Sequence, residues 1–196
     1  MPKQQTESLY KQQKKSKPEI EDTIPDYLRG EKKELALGFV MYLRANKMKL
    51  TWFSKNSWRI NHKGKCICNI RLAAGRAGER YEQSDGAHTW LVSLHFHNLS
   101  EHEKLIANEG LQGIFRENVI HCVHDSQSGF PPNHCNPNKN CARGRNMVIG
   151  GKEFTGVCQC CHNSLWVCDP GKTSLENIKR LLYIEQNSRT KSIKLK

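Results

Sequence analysis

Seven of the nine cysteines in this 196-residue chain fall between Cys122 and Cys168, and such a density asks for a chemical reason. Thiols offer three: metal ligation, redox exchange and nucleophilic attack, all of them through the thiolate. Zinc suits the pattern, because it takes four thiolate or imidazole ligands in a tetrahedron and usually draws them as short pairs from separate turns. Cys135-x5-Cys141 and Cys158-x2-Cys161 form two such pairs, and Cys122, His124, His134, Cys160, His162 and Cys168 are further donors. The rival chemistry is a redox or nucleophilic thiol at Cys158, Cys160 or Cys161. That use needs a lowered thiol pKa, and His162 is close to these residues only in sequence. Cys158-x2-Cys161-His162 also matches the c-type haem attachment pattern. Such attachment belongs to exported proteins, and no charged-then-apolar leader precedes a cleavage site here.

The compartment decides between disulfides and metal. The longest apolar stretch, Leu35 to Leu43, is about half the roughly 20 residues needed to span a bilayer, so we expect a soluble, cytoplasmic protein with no membrane partner. Cytoplasmic thiol buffers keep cysteines reduced, which favours metal. Lys and Arg number 31 against 19 Asp and Glu, for a net charge of +12, and this excess invites a nucleic-acid reading. Residues 1–19 contribute five Lys and two Glu, and residues 186–196 contribute Arg189, Lys191, Lys194 and Lys196 without an acid. Seven of the twelve charges therefore sit at the ends. Both ends read as solvated basic tails, 1–19 disordered and 187–196 likewise, dispensable for stability and capable of weak, salt-sensitive nucleic-acid binding.

Between the tails the sequence predicts a single α+β domain over 20–186, with the Cys-rich metal-site region at 122–168. Leu35, Phe39 and Leu43 recur at four-residue spacing and predict an amphipathic helix. Leu50, Trp52, Trp58 and Ile60 alternate with polar residues as strands do. Asn61-His62-Lys63-Gly64 is a tight turn leading to Cys66, Cys68, Ile70 and Leu72 on one strand face. Cys66 and Cys68 read as small core residues. Residues 73–87 are Gly-rich and charged, a loop that could edge a ligand. Trp90, Val92, Leu94 and Phe96 share one face of a strand from Thr89 to His97, and Leu91, Ser93, His95 and His97 share the other, polar face. Ser100 with Glu103, and Thr173 with Glu176, are capping boxes. Leu175, Ile178, Leu181 and Leu182 supply the stripe of a terminal helix. The expected fold is α+β, an antiparallel sheet of three to five strands packed by an N-terminal and a C-terminal helix, with the Leu35 stripe on the Trp90 face.

Several segments together resemble a family of small uncharacterised bacterial proteins. They are Cys141-Ala142-Arg143-Gly144-Arg145, Ile149 through Gly151-Lys152-Glu153-Phe154 to Cys158, Asp169-Pro170 and the helix Leu175 to Leu182. Upstream, Tyr42 to Asn46, Trp52, Ser57-Trp58, Trp90 to Ser93 and Asn118 to Cys122 fit the same pattern, so the resemblance spans Tyr27 to Leu182. It implies cysteines at the positions of Cys122, Asp125, Cys141 and Cys158. This chain departs at Asp125 and carries an insertion that brings His134 and Cys135. Cys135 then supplies the thiolate that Asp125 does not offer, giving a tetrad of Cys122, Cys135, Cys141 and Cys158. Cys161, His124 and His134 stand as substitutes. No activity accompanies the resemblance.

Other motifs carry less. Gly171-Lys172-Thr173 ends like a phosphate-binding loop, but Trp166 occupies the position of its first Gly. Gly75 and Gly78 lack the third Gly of a dinucleotide fingerprint. His95 and His97 share a strand face, where polar residues are ordinary. The sequence thus leads to a cytoplasmic binding module, not an enzyme by preference, stabilised by one structural Zn2+ and directed at an unidentified small molecule or protein. A thiol-dependent enzyme or redox protein using Cys158 and Cys161 is the first alternative, and a non-specific nucleic-acid binder the second.

Overall fold

The computed structural model of the chain describes residues 8–73, 89–96, 102–119, 145–149, 151–157 and 165–194. In order these form α1 (Leu9–Ser16), α2 (Ile20–Tyr27), α3 (Gly30–Ala45), β1 (Lys49–Ser54), β2 (Ser57–His62), β3 (Lys65–Leu72), β4 (Trp90–Leu94), α4 (Glu103–Asn108), α5 (Gln112–Asn118), β5 (Arg145–Ile149), β6 (Lys152–Val157), β7 (Leu165–Cys168) and α6 (Lys172–Lys194). The fold is α+β. An antiparallel sheet has the strand order β1-β2-β3-β4-β7, and β5 and β6 form a separate hairpin. Two compact units divide the chain, residues 1–92 and 93–196, where the sequence showed no linker and one domain over 20–186 was expected.

In the first unit the periodicity of α3 buries Ala36, Phe39, Val40 and Leu43. Leu35, expected on the same stripe, is only half-buried. The helix α3 lies against α2 and β1. The β1–β2–β3 meander is held by antiparallel pairing with Trp52 opposite Trp58 and Trp58 opposite Ile70. Its second turn falls where the sequence put it: Lys63 (φ 48°) and Gly64 (φ 78°) are both left-handed, the conformation of a two-residue turn that matches strand twist. One face of the meander, with Leu50, Trp58, Ile60, Cys68, Ile70 and Leu72, is core. Ile67, expected on the opposite face, is fully buried as well. The register explains it, since Ile60 pairs with Cys68 but Asn61 with Cys66, leaving Ile67 as the extra residue of a bulge that re-aims its side chain.

Where a disordered tail over 1–19 was expected, residues Leu9–Ser16 form α1, and residues 1–7 lie outside the described residues. This helix is polar almost throughout, yet Gln13 is buried. Its Nε2 donates to Asn56 Oδ1 at 2.7 Å, and its Oε1 accepts from the Asn56 backbone N–H at 2.8 Å. Trp52 Nε1 reaches the same oxygen at 3.4 Å, and the Tyr27 hydroxyl donates to Asn56 Oδ1 at 3.2 Å. Asn56 has φ 53° in the β1–β2 turn, a left-handed position that Asn tolerates. One amide therefore bolts an otherwise solvated helix to the turn. Pro18 adds a second tie, its carbonyl accepting from Trp58 Nε1 at 2.9 Å. Nearby, Arg44 pairs with Glu19 and Glu21, and its guanidinium holds the Glu21 carboxyl below the ordinary value.

The strand expected over Thr89 to His97 is β4, but its second face is not polar-exposed. Trp90, Leu91, Val92, Ser93 and Leu94 are all buried, so both faces of β4 are covered, whereas β2 and β3, equally interior in the strand order, keep one face partly open. In the second unit α5 lies against β7 and α4 against β5. The stripe Leu175, Ile178, Leu181 and Leu182 is buried as its spacing requires. Helix α6 begins at Lys172, where the Gly171 carbonyl accepts from the Leu175 amide, so Thr173 lies inside the helix rather than capping it. Its backbone continues to Lys194, helical where a tail from 187 was expected. Among the described residues no helix is long and apolar enough to cross a membrane.

Candidate metal centre

The elements that border the Cys-rich segment carry two backbone closures. Residues Val119 and Leu165 form an isolated antiparallel bridge. It ties the end of α5 to the start of β7, so the chain enters and leaves the 120–164 stretch at one point. Cys122 follows the bridge by three residues and Cys161 precedes it by four. The second closure is the β5–β6 hairpin. Ile149 pairs with Lys152, Val148 with Glu153 and Met147 with Phe154, and the ladder ends at Arg145 opposite Val157. Gly151 at φ 76° supplies the left-handed turn residue. Cys158 follows Val157 directly, and Cys141 precedes Arg145 by four residues. The register thus delivers the chain leading to Cys141 and the chain leading to Cys158 to the same, open end of one hairpin.

The proposed ligands Cys122, Cys135, Cys141 and Cys158 lie outside the described residues, as do Cys160, Cys161, His124, Asp125, His134 and His162. The Gly-rich stretch through 74–88, His97 and the Ser100 cap lie outside them too. Among the described residues no group of three or more His, Cys, Asp or Glu could hold a metal ion.

Three cysteines fall among the described residues: Cys66, Cys68 and Cys168. Cys68 is fully buried in the core face of β3, as expected, and Cys66 is half-buried beside it. Burial first, and the neighbouring Cys66 second, push the Cys68 thiol well above its ordinary value. At Cys168 burial and then the Asp169 carboxylate push the thiol up. A reactive thiol needs the opposite, a positive or hydrogen-bonding surrounding that favours the thiolate. Neither Cys68 nor Cys168 is placed for nucleophilic or redox work.

Sequence reasoning passed over one buried pair of chemically capable groups. His102, at the head of α4, and Glu185, on α6, are both about 2% exposed, with Nε2 and Oε2 3.0 Å apart. The Phe96 ring stands edge-on to His102 with centroids 6.4 Å apart and packs on Phe115. No local pattern signals this pair, because the partners come from helices far apart in the chain and each alone reads as a polar surface residue. The surrounding is apolar and closed, and the arrangement reads as a structural cross-tie between α4 and α6. Comparison with protein-family models, with curated proteins and with solved structures finds no match to this chain.

Proposed function

We propose that this chain is a binding module of a reducing, cytoplasmic compartment whose Cys-rich segment is closed by one structural zinc. The ligands are Cys122, Cys135, Cys141 and Cys158, with Cys161, His124 or His134 as substitute. The observation that carries the reading is the pair of closures at its borders. A fully extended chain advances at most about 3.6 Å per residue, so the Val119–Leu165 bridge keeps Cys122 within about 11 Å of one fixed point and Cys161 within about 14 Å of it. The Arg145–Val157 pair binds Cys158 and Cys141 to a second fixed point in the same way. Zinc needs sulfurs about 2.3 Å from the metal, and loops tethered this closely lose little further entropy when an ion gathers them. The segment between Cys122 and Cys141 is rich in Asn, Pro, Ser and His and has few apolar residues with which to hold itself. Metal ligation then supplies the folding energy that burial does not. We also propose kinship with the bacterial family whose motifs the chain resembles.

The test is metal content. Full-length protein purified without a tag and without added metal is expected to hold one zinc per chain. Removal with a chelator is expected to lower stability, and cobalt substitution to give the sulfur-to-metal charge-transfer absorption of a thiolate site. Protein that carries no stoichiometric zinc and keeps its stability in chelator would sink the proposal. Rapid alkylation of Cys158 or Cys161 in the native chain would instead favour the thiol-enzyme alternative.

A further inference from the structure

Residues 46–73 hold Lys47, Lys49, Lys55, Arg59, Lys63, Lys65 and Arg71 and not one Asp or Glu. This segment is β1–β2–β3 and its turns. With the ends contributing +7 and this segment another +7, all remaining residues sum to −2, so the meander is as basic as both termini together. At the termini the charges stand mostly among polar residues, whereas here apolar residues separate them. Strand pairing removes the separation. Thr51 pairs with Arg59 and Arg59 with Asn69, and side chains two residues along a strand return to the same face. The face opposite the core therefore gathers Lys49, Thr51, Phe53, Arg59, Asn69 and Arg71, every one half-buried or exposed.

Phe53 gives this face its character. It is 52% exposed, at the register irregularity between Trp52 and Ser54, and the Arg59 guanidinium carbon lies 4.0 Å from its ring centroid. The cation steadies the ring while half of the side chain stays open. A single exposed aromatic is ordinary. An aromatic ring with a guanidinium over it, on the outer face of an acid-free basic meander, supplies the parts from which single-strand platforms are built. In such platforms base faces stack on aromatic rings and cations follow the phosphates. A duplex groove would call for a protruding helix or ribbon, and this face is a sheet surface. A membrane would call for several apolar side chains to insert, and Phe53 is the one large apolar residue this face exposes.

We propose that the outer face of the β1–β2–β3 meander binds single-stranded nucleic acid, with a base stacked at Phe53 and Arg59 and the phosphates tracked by Lys49 and Arg71. The face contains none of the zinc ligands, so this inference and the metal reading stand or fall separately.

Fluorescence anisotropy of the full-length protein with labelled oligo(U) and oligo(dT) of about 15 nucleotides tests it, against a duplex of the same length. Single strands are expected to bind more tightly than the duplex. Phe53→Ala and Phe53→Leu are each expected to weaken them about tenfold or more, the equivalent of one lost stacking contact, with an unchanged thermal melt because the ring is exposed. Lys49→Gln with Arg71→Gln should flatten the salt dependence by about 0.7 in log–log slope for each charge removed. Lys191→Gln with Lys194→Gln should leave affinity within about twofold. Equal binding of duplex, affinity indifferent to Phe53, equal competition by polyglutamate or by anionic vesicles, or loss only in the Lys191 and Lys194 variant would each overturn the proposal.

Discussion

Replacing Gln13 by Ala removes one side chain from a helix that looks disposable, and the structure assigns it a measurable cost. The change deletes the Nε2 donor to Asn56 Oδ1 at 2.7 Å and the Oε1 acceptor of the Asn56 amide at 2.8 Å. Asn56 Oδ1 keeps the Tyr27 hydroxyl at 3.2 Å, so its loss is partial. The Asn56 N–H loses its acceptor in a residue only 4% exposed. An orphaned buried donor costs about 1–3 kcal/mol and a lost neutral hydrogen bond about 1 kcal/mol. The better helix propensity of Ala returns a few tenths of a kcal/mol. The expected net loss is about 2–3 kcal/mol from the unit formed by residues 1–92. Urea titration followed by tryptophan fluorescence reads it, since Trp52 and Trp58 both lie in that unit. Lys14→Ala, an exposed neighbour on the same helix, serves as control and should stay within about 0.5 kcal/mol. Deletion of residues 1–16 should cost at least as much as Gln13→Ala. If Gln13→Ala and the deletion both fall within the range of the control, the bolt is not structural and the first 16 residues are a solvated tail after all.

Two further outcomes follow from buried groups. His102→Ala removes one member of a closed pair and Glu185→Gln alters the other; we expect His102→Ala to cost about 1–3 kcal/mol, since it leaves the buried Glu185 carboxyl group without this hydrogen-bond partner, and Glu185→Gln, which keeps an oxygen and an amide able to meet the imidazole, to cost less, and thermal denaturation of the two variants checks the order. Cys68 should resist iodoacetamide at pH 8 in the folded chain and react once the chain is unfolded, because its folded thiol is held neutral while the unfolded thiol ionises near about 8.5. The same inequality means that the unfolded state binds fewer protons above that value, so this group's contribution to stability is present below about pH 8.5 and declines as pH rises further. Mass-spectrometric mapping of labelled cysteines decides the first point, and rapid native labelling of Cys68 would refute the burial argument.

For the proposed metal site the sequence offers residue types and no geometry. Cysteine number and paired spacing are what make metal ligation the proposed chemistry. Which four converge is a matter of three-dimensional closure, and spacing along the chain fixes no distance between Cys122 and Cys158. The Val119–Leu165 bridge and the register of the β5–β6 hairpin fix only where the chain enters and leaves the stretches that hold these cysteines. Both pairings depend on partners that no local window of sequence contains.

The elements themselves divide along the same line. The helix α3, the strand β4, the Lys63-Gly64 turn and the stripe of α6 were readable from the sequence, because periods of 3.6 and 2 and a left-handed turn are properties of a few consecutive residues. The tertiary structure alone decided the rest. It covered both faces of β4, and it turned Ile67 inward through a one-residue slip against β2. It also fastened a polar N-terminal helix through a buried glutamine and pooled scattered lysines and arginines of three strands on one face. Each of these outcomes is set by pairing and burial between residues distant in sequence. The free energy that decides them, the cost of an unmet hydrogen bond or an uncovered apolar side chain, exists only once those distant residues have met.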